Sequence, residues 1–136
     1  MKSVEAEAIA QAKTILKKFK QCKVPMKMNG KIIKVGFRRE GNKHLIADLH
    51  ERNLPIGVND LKHLPQMMEN AEYKTSADNA NGKTHMGLKN ISRFHYFRAS
   101  VRGKVFFLNV AEITRNQGNI KLSECFLYSI TSKIKN

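Results

Sequence analysis

Five histidines stand among 25 lysines and arginines, and these are the side chains through which this chain could do chemistry. Imidazole accepts and returns a proton near neutral pH. Guanidinium and ammonium groups hold phosphate. Together they meet the needs of metal-free RNA cleavage, in which the ribose 2′-OH is the nucleophile. The protein then adds a base for its proton, an acid for the 5′-oxygen, and cations or donors for the pentavalent phosphorane. DNA has no 2′-OH and would be inert at such a site. A protein that only binds RNA or DNA carries the same inventory, so composition leaves both open.

His44 follows Lys43 in Gly41-Asn42-Lys43-His44-Leu45, which opens a helix running to about Arg52. In a first helical turn the backbone N–H groups attract anions, which makes this pair a plausible phosphate neighbour. An exposed helix histidine is the commoner case. Lys83, Thr84 and His85 fall in 76–88, a polar stretch that reads as a mobile loop able to swing over a cleft. Arg93 to Val101 reads Arg-Phe-His-Tyr-Phe-Arg-Ala-Ser-Val, a strand-forming stretch with an arginine, Arg93, at its start. Alternation puts His95, Phe97, Ala99 and Val101 on a core face, and Phe94, Tyr96, Arg98 and Ser100 on the other. The second face carries what a cleft for an anionic ligand needs. His95 reads equally as a buried structural histidine. His50 and His63 read as surface residues.

Other chemistries find less support. His44 and His50 are six residues apart and cannot face together on one straight helix. The eleven acids are spread thinly, and Cys22 and Cys125 form no CxxC pair, so no metal, cofactor or disulfide framework is expected. There is no GxSxG elbow, GxxxxGK[ST] loop or GxGxxG fingerprint. A Ser-His-Asp arrangement stays open.

The elements that must position these residues follow from composition and periodicity. A chain of 136 residues with 41% apolar content suits one domain with its own core. Its net charge of +14 predicts a polyanionic partner, nucleic acid before an anionic membrane. Residues 3–22 carry Ile9, Ala12, Ile15, Leu16, Phe19 and Cys22 at helical spacing, with acids early and lysines late. The N-terminal residues have no apolar run suited to a signal peptide or membrane span. Pro25 and Asn29-Gly30 punctuate the chain before a short strand at 31–38. Asn59-Asp60-Leu61 begins a helical segment interrupted at Pro65, and 71–75 reads as a strand. The last third is sheet: the 93–101 strand, a turn at Arg102-Gly103-Lys104, an apolar strand over 105–113, a turn at 116–119, and a closing strand over 122–131. On that last strand alternation groups Phe126, Tyr128 and Ile130 against Cys125, Leu127, Ser129 and Thr131. The fold class is α+β, in one domain, with 1–30 as N-terminal helix and connector and 31–136 as core.

GNKHL at 41–45, DLKHLPQMMENAEY at 60–73, RFHYFRASVRGKVFFLNV at 93–110 and FLYSIT at 126–131, in that order, resemble the barnase–EndoU–colicin–RelE superfamily of nucleases, nearest its phage-associated and polymorphic-toxin branches. The likeness covers roughly residues 31–131. It implies N-terminal helices on a twisted four- to five-stranded antiparallel sheet. It implies a metal-independent endoribonuclease, commonly a tRNase toxin leaving 2′,3′-cyclic phosphate ends. It also implies the C-terminal cargo of a larger secreted or cell-surface protein, as in contact-dependent growth inhibition. Such a cargo reaches the target-cell cytoplasm and is blocked by a cognate immunity protein. That inhibitor should be acidic, to occlude a basic cleft. A monomer is expected.

The resemblance also suggests roles. His44 matches the family's helix histidine and becomes the first candidate for proton transfer. Arg98 falls on the central strand and is assigned to phosphate. Ser129 and Thr131 fall where the last strand offers polar catalytic residues. Some relatives have histidine where this chain has Ser129; a serine there hydrogen-bonds phosphate, and the second proton transfer passes to His85 or His95. Tyr96 and Tyr128 could stack a base or donate to phosphate. Lys43, Arg93, Lys83 and Thr84 complete the substrate contacts. Two alternatives remain from the residues: a non-catalytic basic RNA- or DNA-binding module, and an interaction domain of a phage or secretion-system protein with an acidic partner.

Overall fold

The computed structural model describes residues 2–79 and 90–134, with 2–5 as backbone only. Its elements in order are α1 (Lys2–Lys17), β1 (Val24–Met28), β2 (Lys31–Gly36), α2 (Arg39–His50), α3 (Val58–Leu61), α4 (Leu64–Glu69), β3 (Glu72–Asp78), β4 (Ile91–Val101), β5 (Lys104–Gln117) and β6 (Ile120–Thr131). One sheet takes all six strands in the order β1-β2-β6-β5-β4-β3. The α+β expectation holds, but six strands replace four or five. The sheet is also mixed, because β2 runs parallel to β6 through Val35↔Cys125 and Gly36↔Phe126. No helix among the described residues is long and apolar enough to cross a membrane.

The extra strand is β1, Val-Pro-Met-Lys-Met, inside the stretch expected to be a connector. Pro25, expected to punctuate the chain, lies within this strand, because proline is tolerated at a sheet edge, where its missing N–H faces no partner. Asn29 and Gly30 then turn the chain with φ of 51° and 75°, the pair of positive angles a two-residue hairpin favours. Arg102 and Gly103 do the same between β4 and β5. Helix α1 ends at Lys17, short of the expected Cys22, but Phe19 and Cys22 still pack on the core from the turn that follows.

The helices cover one face of the sheet. Phe97, Ala99, Phe106, Leu108, Val110, Leu127 and Ile130 meet Ala12, Leu16, Leu45, Leu61, Leu64 and Met68 there. A smaller cluster of Ile91, Phe94, Ala111, Ile113, Phe126 and Tyr128 packs on the second face. Strict alternation fails on β6. Asn109 pairs with Ser129 but Val110 pairs with Leu127, so Tyr128 is an extra residue in a bulge. The bulge rotates the end of the strand. Cys125, Leu127 and Ile130 stay with the helices, while Phe126, Tyr128 and Ser129 belong to the second face. The expected grouping of Ile130 with Tyr128, and of Ser129 with Leu127, is thereby corrected.

Beyond Phe126 the edge of β6 is covered by α2 in place of β2. The contact is close: a Cβ on Gly41 would run into the Leu127 carbonyl oxygen. Alanine in place of a helical glycine ordinarily stabilises by up to about 1 kcal/mol. Gly41→Ala should do the reverse, costing about 1–3 kcal/mol as α2 is pushed off β6, seen as a lower urea midpoint.

Candidate functional site

The seat of α2 on β6 decides where its side chains go. Leu45 enters the main core, and His44, one residue earlier, falls beside the second face. Its ring lies over Tyr128, centroids 4.6 Å apart and planes at 43°. Tyr128 in turn meets Phe94 and Phe126 edge-on. Asp48, one turn along α2, brings Oδ2 to 3.2 Å from His44 Nδ1. That is an ion-pair distance, but the geometry is off-axis, and buried Nδ1 makes no hydrogen bond. With Nδ1 turned to Asp48, Nε2 is the ring nitrogen left for a ligand. The side chain is 28% exposed, accessible to a ligand yet held on two sides. His44 lies in the second turn of α2, because the helix starts at Arg39, earlier than expected. The anion-attracting first-turn environment expected for it therefore does not apply.

Charge around this cluster is mixed. Arg38 lies over the Phe126 ring, 5.7 Å from its centre, and bonds Glu40 at 3.3 Å and Glu124 at 3.0 Å. Arg115 approaches the same Glu124 carboxylate at 3.8 Å. Arg39 and Lys43 are exposed on α2 and turn towards α1. There they border a groove of about 860 Å³ together with Lys13, Lys17, Lys20, Leu16, Phe37 and Ile46. Lys43 therefore serves that groove rather than the His44–Tyr128 contact.

Strand register sets the other expected residues in rows on the second face. Tyr96, Asn109 and Ser129 are opposite one another across β4, β5 and β6, with Tyr128 beside them in the bulge. Arg98, Phe107 and Thr131 form the next row. Ser129 is only 3% exposed and accepts a hydrogen bond from Asn109 Nδ2. Asn109 also donates to Thr131 Oγ1 at 3.4 Å, and Thr131 donates to the Lys133 carbonyl at 2.7 Å. Ser129 and Thr131 thus tie the end of β6 together. Tyr96 is buried, which pushes its phenol up. Arg98 is exposed and pairs in register with Glu72, at the rim of a separate concavity of about 390 Å³ lined also by His63, Gln66 and Asn70.

His95 and Arg93 are not brought to His44. His95 is on the helix-covered face, 2% exposed. Its Nδ1 bonds Ser76 Oγ at 2.6 Å, and its Nε2 bonds Glu112 Oε1 at 2.7 Å. Tyr73 joins the chain through a 2.6 Å hydroxyl contact with Ser76. Arg93 pairs with Asp78 at 3.0 Å near the far end of β4. Lys83, Thr84 and His85 lie outside the described residues. Cys125 lies beside Glu112 in the β5–β6 register, and burial, with Glu112 and Glu124 nearby, pushes its thiol up to about 11.

Two partners escaped the sequence reading. Asp48 was visible as the i, i+4 neighbour of His44, a spacing that places two side chains on one helical face. Glu112 was not, because its approach to His95 depends on cross-strand register. Tyr128 carries the electrostatic signature of the cluster: burial raises its phenol first, and Asp48 adds to the rise. Asp48→Asn should therefore lower the Tyr128 pKa but leave it above the ordinary tyrosine value of about 10. A phenolate-absorbance titration of the two proteins checks this.

The sequence profile of one family, large polyvalent protein-associated domain 3, matches residues 2–122, from α1 into the start of β6. Tyr128, Ser129 and Thr131 fall beyond the matched segment. No curated protein and no solved structure matches the chain. With most of its length matched, the chain belongs to the large polyvalent protein-associated domain 3 family, whose description ties it to large polyvalent proteins.

Proposed function

We propose that this domain is a metal-independent endoribonuclease of the barnase–EndoU–colicin–RelE type, acting on tRNA as the toxin portion of a larger polyvalent protein. The observation that carries the reading is the His44 imidazole held between the Asp48 carboxylate and the Tyr128 ring, on a chain of net charge +14. His44 Nε2 takes the 2′-OH proton as the 2′-oxygen bonds to phosphorus and the P–O5′ bond breaks. The 5′-oxygen takes its proton from the resulting imidazolium or from water. The Tyr128 phenol, whose pKa is raised, keeps its proton and can donate to a phosphate oxygen. Arg98 is exposed on the same face, two strand spacings or about 10 Å from β6, and is assigned to a neighbouring phosphate. His95 has no part in this reading, since it faces the opposite side of the sheet. An acidic immunity protein and delivery into the target-cell cytoplasm belong to the same proposal.

A second reading, a basic RNA-binding module without turnover, is favoured by the α1–α2 groove, where five cations surround an apolar floor. It predicts binding that weakens steeply with salt while RNA stays intact.

The test is incubation with total tRNA in buffer without added divalent ions, followed by analysis of the fragment ends. Fragments with 2′,3′-cyclic phosphate and 5′-hydroxyl ends are expected. His44→Ala should lower the cleavage rate about 100-fold or more with the circular dichroism spectrum unchanged. Asp48→Asn should lower it less. Intact RNA across a wide range of protein concentration would leave the binding module as the better reading.

A further inference from the structure

On the helix-covered face, three donor groups from three neighbouring strands converge. They are His95 on β4, Glu112 on β5 and Cys125 on β6. Their ligand atoms all lie within 4.8 Å of one another. We propose that His95 Nε2, a Glu112 carboxylate oxygen and the Cys125 sulfur form a zinc site, with water as the fourth ligand. Spacing along the chain does not announce it: the residues are 17 and 13 positions apart, with none of the close spacings that mark metal-binding motifs.

Three observations support the assignment. First, the donor set of imidazole, thiolate and carboxylate suits zinc, which accepts all three and favours four ligands. A tetrahedral zinc with bonds of about 2.0–2.3 Å holds its ligands about 3.3–3.8 Å apart. The three ligand atoms, all within 4.8 Å of one another, must draw in by about 1 Å to reach that spacing.

Second, the histidine is already oriented. Ser76 engages Nδ1, so Nε2 points at Glu112, and the Ser76 hydroxyl is itself in contact with Tyr73. A partner on the remote ring nitrogen is the usual support of a zinc-bound histidine.

Third, the cluster has both rigidity and access. Its strands are the inner ones of the sheet, paired without a register shift from Arg93 to Val101 and from Val110 to Gln117, and His95 is 2% exposed, while Glu112 is 22% exposed and leaves a route for the ion and a water. Among the described residues, the ion pair at Glu112 is with His95 at 2.7 Å. Binding places the imidazole Nε2 lone pair, the thiolate and the carboxylate on the metal; the thiol proton goes to solvent, the neutral ring keeps its one proton on Nδ1 towards Ser76, and an imidazolium also releases one proton to solvent. The ion ties β4, β5 and β6 together on the side of the sheet away from His44. It is therefore independent of the ribonuclease reading.

The experiment uses the full chain, freed of metal by dialysis against a chelator and titrated with cobalt(II). A 1:1 complex is expected, with the visible bands of tetrahedral cobalt and a near-ultraviolet thiolate-to-cobalt band, both abolished by added zinc. Cys125→Ser should remove the thiolate band, whereas Cys22→Ser and His44→Ala should retain it. Ser76→Ala should keep the band and weaken zinc binding about 10- to 100-fold, the mark of a positioning residue. A thiolate band that survives Cys125→Ser, one lost with Cys22→Ser, or no band in the folded parent overturns the proposal.

Discussion

The close approach of α2 to the edge of β6 is the contact on which the rest depends. A helix backbone can lie against a strand carbonyl only where a side chain is missing, and Gly41 supplies that gap at Leu127. The helix replaces β2 as the neighbour of β6 just where the strand bulges. The bulge presents Tyr128 to α2, and helical spacing presents His44 and Asp48 to Tyr128. None of these contacts would survive a one-residue change in the β6 register, because every later side chain would change face.

The two faces of the sheet divide the polar chemistry. On the second face are His44, Asp48 and Tyr128, with the Asn109–Ser129 pair beside them. On the helix side the chain Tyr73–Ser76–His95–Glu112 runs through the structure beside Cys125. Several carboxylates are engaged by arginines, as in Arg38 with Glu124 and Arg93 with Asp78. The lysines gathered on α1 and α2 set the positive potential around the groove between them.

Much of this was legible in the residues and some was not. The helix-facing side of β4 followed from alternation, since no bulge interrupts it between Arg93 and Val101. The hairpin turns at Asn29-Gly30 and Arg102-Gly103 were readable because positive φ selects such pairs. The end of β6 was misread because a bulge adds one residue through a pairing that local sequence does not encode. Strand β1 was misread because Pro25 signals a break in isolation and becomes acceptable only at a sheet edge. The parallel joint of β2 with β6 joins residues about ninety positions apart, and no short-range pattern announces it. Of the site, His44 and its neighbour Tyr128 were both singled out, but their stacking required α2 and β6 to be adjacent.

That parallel joint also governs how the chain can mature. During synthesis the β1–β2 hairpin emerges first, and the strand that completes its inner edge follows about ninety residues later. Until then the hydrogen-bonding groups along that edge are unpaired and available to another chain. High contact order of this kind slows folding and lengthens the exposure of aggregation-prone edges. β6 thus acts as the latch, and the domain cannot close before translation has passed it.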